Sequence, residues 1–203
     1  MIISKAFLRI KKIKKGDIKE VANLHLKCLP NTVSSKLGQF YLEKVYKIFC
    51  QYKNNSAFVA LDKNRIVGAI GLTSDLNQFQ RQIKRELTVN DYFLIAKSIL
   101  TKRTPITDLV QRLLFERELV KNYKSPYKTI VTLFTDKNYR RHGVATQLLK
   151  FALIDDEEKN KTIYVDTLSE NDAAIKLYKK FGFSPVVKIK DSILLSLPKL
   201  KKI

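Results

Sequence analysis

The chain has 203 residues, of which 45% are hydrophobic, so it is long enough for one well-buried globular domain with little room for a second. The formal net charge of +20 favours anionic partners, but the lysines are spread along the whole chain with no dense basic block, and we expect no nucleic-acid partner. With Cys28 and Cys50 as its two cysteines, and no apolar run near the ~20 residues that span a bilayer, we expect a cytoplasmic protein without membrane association.

The sequence opens with a strand and a helix. Residues 7–14 alternate apolar and basic side chains, which predicts a strand. The helix that follows ends near Cys28, and its apolar residues recur at helical spacing. Asp17 and Glu20 are three residues apart at its start, where we expect them to form a capping box.

A loop, a second helix and a strand hairpin are expected next. Residues 32–38 predict a polar loop, whereas the aromatic and aliphatic residues of 37–52 recur at helical spacing. Residues 57–61 and 66–72 are short β-rich runs on either side of a turn, and this arrangement is typical of a hairpin.

The segment 73–125 has no obvious strand, and we interpret it as a helical insertion. One helix is predicted over 89–102, and another begins after Thr104 with Pro105 at its first position. The second helix carries an apolar stripe, which we expect to pack in the core. Its members are Ile106, Leu109, Val110, Leu113 and Leu114.

One strand–turn–helix stretch has the most specific pattern in the chain. A β-rich run over 129–135 precedes a basic turn with Arg140, Arg141 and Gly143, and an amphipathic helix follows from Val144. The first N–H groups of a helix lack partners, and the helix dipole places partial positive charge there. Glycine lets a ligand approach the backbone closely. The turn is therefore a candidate phosphate or pyrophosphate site, with an ordinary strand-to-helix turn as the alternative.

The last quarter predicts a strand, a helix and two closing strands. Residues 162–167 are nearly apolar on both faces, so we expect a central strand that runs parallel to the preceding one. A helix begins at Ser169 or Asn171, and Gly182 ends it as a C-cap. The remaining predicted elements are the body of that helix over 172–180 and strands over 186–189 and 192–197.

Two motifs in this half resemble the GCN5-related N-acetyltransferase family. The acyl-CoA-binding motif of that family has Arg or Gln, two variable residues, Gly, one variable residue and then Gly or Ala. Arg140, Gly143 and Ala145 fill its fixed positions. The segment 171–183 resembles the second family motif, and its matching residues are Asn171, Ala174, Leu177, Tyr178, Gly182 and Phe183. With the β-α-α-β-β front half, the resemblance covers nearly the whole chain apart from the insertion.

The resemblance implies an α/β fold with a mixed, mostly antiparallel central sheet flanked by helices. Two central strands splay apart in that fold, and acetyl-CoA lies in the opening. Backbone groups of 133–135 would pair with the pantetheine arm, and amides of 141–146 would hold the pyrophosphate. The implied cofactor-binding residues are Leu133, Phe134, Thr135, Arg140, Arg141, His142, Gly143, Val144, Ala145, Thr146 and Asn171.

The resemblance also implies a catalytic acid and an oxyanion donor. Acetyl transfer needs a neutral amine, a donor for the developing oxyanion and a proton for the leaving thiolate. Tyr178 stands where the family usually has the acid, with a core tyrosine whose hydroxyl is satisfied as the alternative. The implied oxyanion donor is the backbone N–H of Phe134.

No general base is assigned, because the run over 129–135 carries no Glu. Asp136 follows that run directly, and we expect it to cap or support the turn. The more remote acids are expected to be solvated or structural. They are Glu116, Glu118 and Asp166.

We predict an N-acetyltransferase that moves an acetyl group from acetyl-CoA to a primary amine, with a small molecule such as an amino sugar as the expected acceptor. The alternatives are a protein or peptide N-acetyltransferase, a non-catalytic acyl-CoA-sensing module and a nucleic-acid-binding protein, and a homodimer is left open. His25 is expected to be a core histidine, and the His and Cys residues lack ligand spacing, so no metal is expected. Acceptor choice is expected to lie in 30–38, the insertion and the last strand pair.

Overall fold

The computed structural model of the protein describes residues 8–101, 105–154 and 161–198, and a seven-stranded sheet runs through its centre. The strands are β1 (Arg9–Lys12), β2 (Asn55–Asp62), β3 (Arg65–Thr73), β4 (Tyr127–Thr135), β5 (Thr162–Leu168), β6 (Ser184–Ile189) and β7 (Ser192–Leu197). They lie in the order β1-β2-β3-β4-β5-β7-β6. Neighbouring strands are antiparallel except β4 and β5, which are parallel. The mixed, mostly antiparallel sheet predicted from the sequence is therefore confirmed.

Helices connect the strands of this sheet. They are α1 (Ile18–Cys28), α2 (Val33–Leu37), α3 (Gln39–Gln51), α4 (Leu76–Glu86), α5 (Val89–Leu100), α6 (Ile106–Lys121), α7 (Val144–Ile154) and α8 (Asp172–Lys180). Three predicted residues, namely Phe7 in the first strand and Lys102 and Thr104 at the ends of two helices, lie outside the described residues.

Helices cover both faces of the sheet, which explains why β2 and β3 are buried and apolar on both sides. The helices α1, α3 and α4 pack on one face, and α7 and α8 pack on the other. Gly68 of β3 has no side chain to keep α7 away, since a Cβ there would lie 3.0 Å from Val144 Cγ1. The start of α7 is thereby held against the sheet, next to the end of β4.

The predicted insertion is helical, and its described part contains α4, α5 and α6. The sequence prediction missed α4. A buried polar chain fixes this helix to the sheet: Asn55 Nδ2 donates to Gln82 Oε1 at 2.8 Å, and Thr73 Oγ1 donates to Asn55 Oδ1 at 2.7 Å. Buried groups that satisfy one another in this way favour one position of the helix on the sheet.

The apolar stripe of α6 does not pack in the core, so that prediction is wrong. Ile106, Val110, Leu113 and Leu114 are 49–62% exposed. The inward side of α6 is the row Arg112, Phe115, Glu116 and Leu119, whose i, i+3, i+4, i+7 spacing defines one helix face. The apolar spacing identified one face of α6, but a different and partly polar face of the helix packs on the sheet.

Two local predictions in the front half are also wrong. Residues 32–38 contain the short helix α2, because the Thr32 side chain accepts a hydrogen bond from Ser35 N at 3.3 Å and starts a turn. Asp17 and Glu20 form no capping box on α1. Asp17 instead accepts from Lys11 Nζ at 2.7 Å and from Lys14 N at 2.8 Å, and Glu20 accepts from Ile66 N at 2.8 Å, so both acids bind groups outside α1.

Candidate active site

The sheet opens between its two parallel strands, β4 and β5. Their backbone pairing covers four registered pairs, and the last joins Ile130 to Val165. Beyond that pair β4 continues to Thr135 along β3, whereas β5 continues to Leu168 along β7. Because the strands are parallel, both carboxyl ends lie at the same side and diverge there. The splayed central strands that the resemblance implies are confirmed.

A bulge and two buried hydroxyls mark this opening. The register of β4 with β3 shifts at Val131, which has no partner on β3 and bends the strand. Thr135 Oγ1 at the end of β4 and Ser169 Oγ just after β5 are buried, and neither has a hydrogen-bond partner in the described part of the chain. Buried polar atoms are normally paired, so the opening presents two groups that a ligand can satisfy.

The turn after β4 has the backbone geometry of an anion site. Arg141 and Gly143 both have positive φ, at 67° and 80°, which turns successive N–H groups to one side. The backbone N–H of Gln147 donates to the Gly143 carbonyl at 2.9 Å, and this bond closes the first turn of α7. The N–H groups that precede Gln147 in this turn are therefore the unpartnered donors of a helix start. A Cβ on Gly143 would meet only Gln147 Nε2, at 4.0 Å, which leaves open space in front of these donors.

Two side chains hold this turn to the β2–β3 hairpin. Asp136 accepts from Asn138 N at 3.0 Å and pairs with Arg65 NH2 at 2.7 Å. Tyr139 donates to Asp62 Oδ2 at 2.7 Å, and this bond raises the pKa of the Tyr139 hydroxyl. The prediction that Asp136 supports the turn is confirmed. The donors of the turn are thus preorganised before any ligand arrives.

The remaining predicted cofactor residues lie around the same opening. Leu133 and Phe134 are in β4 beyond the last pair with β5. His142 is exposed in the turn, where its Nδ1 lies 2.8 Å from the Arg140 carbonyl. Asn171 begins α8 as predicted, because its Oδ1 accepts from Ala174 N at 3.2 Å.

Tyr178 lies on the sheet-facing side of α8, and its side chain is buried. Its ring centroid is 5.5 Å from that of Phe183. The hydroxyl forms no hydrogen bond with the described residues, and it is not one of the fully buried unpaired atoms among them. Burial, and after it the charge of Asp166, raises the pKa of Tyr178, so the hydroxyl stays protonated at physiological pH.

The family model of the Acetyltransferase (GNAT) family matches residues 18–183. The chain belongs to the GNAT family. This GNAT protein is 25% identical to N-alpha-acetyltransferase 30 of Schizosaccharomyces pombe over 162 residues, which is 78% of this chain and 77% of that protein.

Solved structures of low identity share the GNAT fold. The ribosomal-protein-S18-alanine N-acetyltransferase of Escherichia coli superposes with a TM-score of 0.59 at 14% identity, over 95% of this chain and 94% of that one. Arabidopsis thaliana NAA60 in complex with a bisubstrate analogue has a TM-score of 0.58 at 16% identity, over 94% and 97% of the two chains. The same plant protein is also solved with acetyl-CoA. The protein is therefore an acetyl-CoA-dependent N-acetyltransferase.

The opening of this GNAT protein fits acetyl-CoA chemically. The free edge of β4 offers backbone groups to the amides of a pantetheine arm, and Thr135 Oγ1 and Ser169 Oγ add two unsatisfied hydroxyls. The amides around Gly143, together with Arg140 and Arg141, suit a diphosphate. In the described ranges no group of three or more His, Cys, Asp or Glu is arranged to hold a metal ion, and no helix is long and apolar enough to cross a membrane.

Sequence reasoning missed a charged cluster next to this opening. Arg112 of α6 pairs with Glu116 of the same helix and with Asp166 of β5, the residue that follows the last β4–β5 pair. Glu116 and Asp166 were expected to be solvated or structural acids, and Glu116 fits the structural alternative, since its side chain is 16% exposed, pairs with Arg112 and has a pKa that burial raises. The available signal was an Arg and a Glu four residues apart off the apolar stripe of a predicted helix.

His25 is buried in the core as predicted, but only half satisfied. Its Nδ1 lies 2.8 Å from the Tyr46 hydroxyl, while Nε2 has no partner among the described residues. Its ring centroid is 5.0 Å from that of Phe134 in β4. Burial lowers the pKa of His25 to about 4. Cys28, at the end of the same helix, is free and buried, so neither group belongs to a disulfide or metal site in the described chain.

The lowered pKa of His25 predicts a loss of stability in mild acid. The unfolded chain, with a pKa near 6.5, binds the proton more readily than the folded one, so stability is full above pH 6.5 and falls as the pH drops toward 4. Between pH 7 and pH 5 the expected loss is about 2 kcal/mol. Urea unfolding at both pH values measures it. In His25→Asn, which retains a polar partner for Tyr46 but cannot titrate, most of this loss should vanish; an equal loss in both proteins contradicts the assignment.

Proposed function

We propose that this acetyltransferase modifies the α-amino group at the N-terminus of a peptide or protein. The observation that carries the proposal is the match to N-alpha-acetyltransferase 30 over most of both chains. The chemistry supports it, because an α-amino group has a pKa of about 8 whereas a lysine amine has one of about 10.4. A much larger fraction of N-termini is therefore neutral, and nucleophilic, near pH 7.

The path of α6 supports an extended or small acceptor. Near its start Asp108 pairs with Lys36 of α2 at 2.6 Å, and near its end Leu119 packs with Tyr164 and Leu194 of the sheet. The helix thus crosses the face of the sheet opposite α7 and α8, next to the splayed strands. An extended chain terminus can reach the opening beside such a helix, whereas the surface of a folded protein is too broad to do so.

In this proposal different residues along the opening bind different parts of acetyl-CoA. Backbone groups of β4 would hold the pantetheine arm, the amides of the turn would hold the diphosphate, and Tyr178 would protonate the leaving thiolate. The proposed cofactor-binding residues are Leu133, Phe134, Thr135, Arg140, Arg141, His142, Gly143, Val144, Ala145, Thr146 and Asn171. The raised pKa of Tyr178 keeps its donor form populated.

A small-molecule amine such as an amino sugar is the second candidate. The observation in its favour is again α6, because a helix that contacts both α2 and the sheet leaves less space for a large acceptor. The two candidates require different acceptor sites, because a peptide needs an opening through which its second and later residues can leave the site.

Release of the coenzyme A thiol distinguishes the candidates. The acceptors are short peptides with free N-termini, the same peptides with a blocked N-terminus and an internal lysine, and glucosamine. We expect thiol release with the free peptides and none with the blocked ones. Turnover on glucosamine alone would favour the small-molecule reading, and acetyl-CoA binding without turnover on any amine would favour the non-catalytic sensing module.

A further inference from the structure

The inward face of α6 carries a buried charged cluster that the family motifs do not describe. Arg112 Nε donates to Glu116 Oε1 at 2.7 Å, and Gln80 of α4 donates to Glu116 Oε2. Arg112 NH1 also lies 3.8 Å from Asp166 Oδ2 of β5. The side chains of Glu116 and Asp166 are 16% and 21% exposed. A carboxylate oxygen can accept two hydrogen bonds, so both acids retain acceptor sites for a ligand.

This cluster lies where acetyl transfer would occur. Asp166 immediately follows Val165, the last residue of β5 that pairs with β4. It shares a face of β5 with Tyr164, which packs under α6, whereas Val165 packs on the α8 side with Tyr178. The charge of Asp166 nevertheless contributes to the raised pKa of Tyr178. The carboxylates and the tyrosine thus approach the gap between the strands from opposite faces of the sheet.

The charge of the cluster favours a cation. Two carboxylates share the single guanidinium of Arg112, which leaves one net negative charge in a largely buried place. In the described ranges, Tyr41 of α3 and Tyr123 after α6 also interact with the charges of this cluster, and burial raises the pKa of each so that both are neutral. Uncompensated buried charge is costly, and an incoming ammonium group would neutralise it.

We propose that Glu116 of the inserted helix and Asp166 of β5 together form the site that binds the acceptor ammonium and accepts its proton. The inference rests on the proposed N-acetyltransferase reaction and identifies a function for the insertion. Arg112 is the positioning residue, because it holds both carboxylates through one planar group.

The proton balance of the reaction is complete with these groups. The carboxylate pair takes one proton from the ammonium and later releases it to solvent. The neutral nitrogen attacks the thioester carbonyl, forming the N–C bond as the C–S bond breaks. Tyr178 gives its proton to the leaving sulfur and recovers one from the acylated nitrogen. Burial raises the pKa of Glu116, so its carboxylate is a stronger base for the first step than a solvated one.

The test compares Glu116→Gln with a matched control on the same helix. Glu118 is 48% exposed and pairs with Lys121 at 2.8 Å, so Glu118→Gln removes the same charge outside the cluster. With a free-N-terminus peptide we expect kcat/KM to fall about 100-fold in Glu116→Gln and to stay within about twofold in Glu118→Gln. The Kd of acetyl-CoA should not change. The acid limb of the pH profile should change in Glu116→Gln, because a carboxyl whose pKa burial raises has been removed.

A second readout does not depend on turnover. Calorimetry with alanine amide, added as its ammonium form to the coenzyme A complex, should give a Kd at least about tenfold weaker for Glu116→Gln than for the natural chain. Absence of alanine amide binding to the natural chain overturns the ammonium site. Lack of turnover with every peptide and amine, while alanine amide still binds as expected, instead overturns the proposed function.

Two further variants keep the result decisive. Glu116→Asp retains the charge. Its pH profile should therefore have the same acid limb as that of the natural chain, and its kcat/KM should be higher than that of Glu116→Gln. If Glu116→Gln does not fold, Asp166→Asn removes the other half of the pair and should lower kcat/KM by a similar factor. A rate within threefold of the natural chain, with an unmoved acid limb, in whichever of the two variants folds overturns the proposal.

Discussion

Replacement of Gly143 by Val is expected to weaken acetyl-CoA binding at least about 100-fold, which is ~2.7 kcal/mol. Gly143 has φ 80°, a conformation that costs an L-residue about 1–2 kcal/mol. The two methyl groups of Val would also occupy the open space in front of the α7 amides, where a Cβ now meets only Gln147 Nε2 at 4.0 Å. A diphosphate could then no longer approach those donors. Calorimetric titration with acetyl-CoA measures the change.

Gly182→Val is the matched control for this experiment. Gly182 follows α8 with φ 88°, so a side chain there has the same conformational cost, and its Cβ would lie 3.4 Å from Leu197 Cδ1. We expect both variants to lose a similar free energy of unfolding and only Gly143→Val to lose the cofactor. Unaltered affinity in a folded Gly143→Val protein would refute the phosphate assignment of the turn.

Replacement of Tyr178 by Phe is expected to lower kcat by about 10²–10³-fold while leaving the Kd of acetyl-CoA unchanged. The hydroxyl makes no hydrogen bond with the described residues, and the ring packs with Phe183 in both proteins. The free energy of unfolding should therefore change by less than about 1 kcal/mol. A loss in kcat without a loss in binding identifies a group that acts in the transition state.

Steady-state thiol release and a separate acetyl-CoA titration measure these two quantities. Tyr92→Phe, at a 53% exposed tyrosine of α5, is the control for the loss of a hydroxyl outside the site. If the Tyr178→Phe enzyme turns over as fast as the natural chain, Tyr178 has a packing role and another donor protonates the thiolate.

Elements with strong local signals were predictable from the sequence. The helix α8 has the side-chain cap of Asn171 before it and the positive-φ Gly182 after it, both visible as residue types. The glycine turn at Gly143 is equally local. These features depend on neighbours within a few residues, so the chain itself specifies them.

Elements that depend on distant partners were not predictable in the same way. Asp17 has the residue type of a helix cap, but Lys11 binds its carboxylate instead. Gln82 of the missed helix α4 is polar, yet it is buried because Asn55 satisfies it. In each case a partner from another element decides the energy of the group, and periodicity contains no information on that partner.

The sequence by itself determined the strand–glycine turn–helix unit and the capped helix α8, because these depend on glycine conformation and helix ends. The expectation of acetyl transfer came from the resemblance of these two segments to the family motifs. Only the tertiary structure decided which side of α6 faces the sheet. It turns Arg112 and Glu116 inward toward Asp166 and leaves the apolar stripe exposed. The physical reason is that a helix buries whichever face finds complementary partners on the surface below it, and those partners come from strands formed elsewhere in the chain.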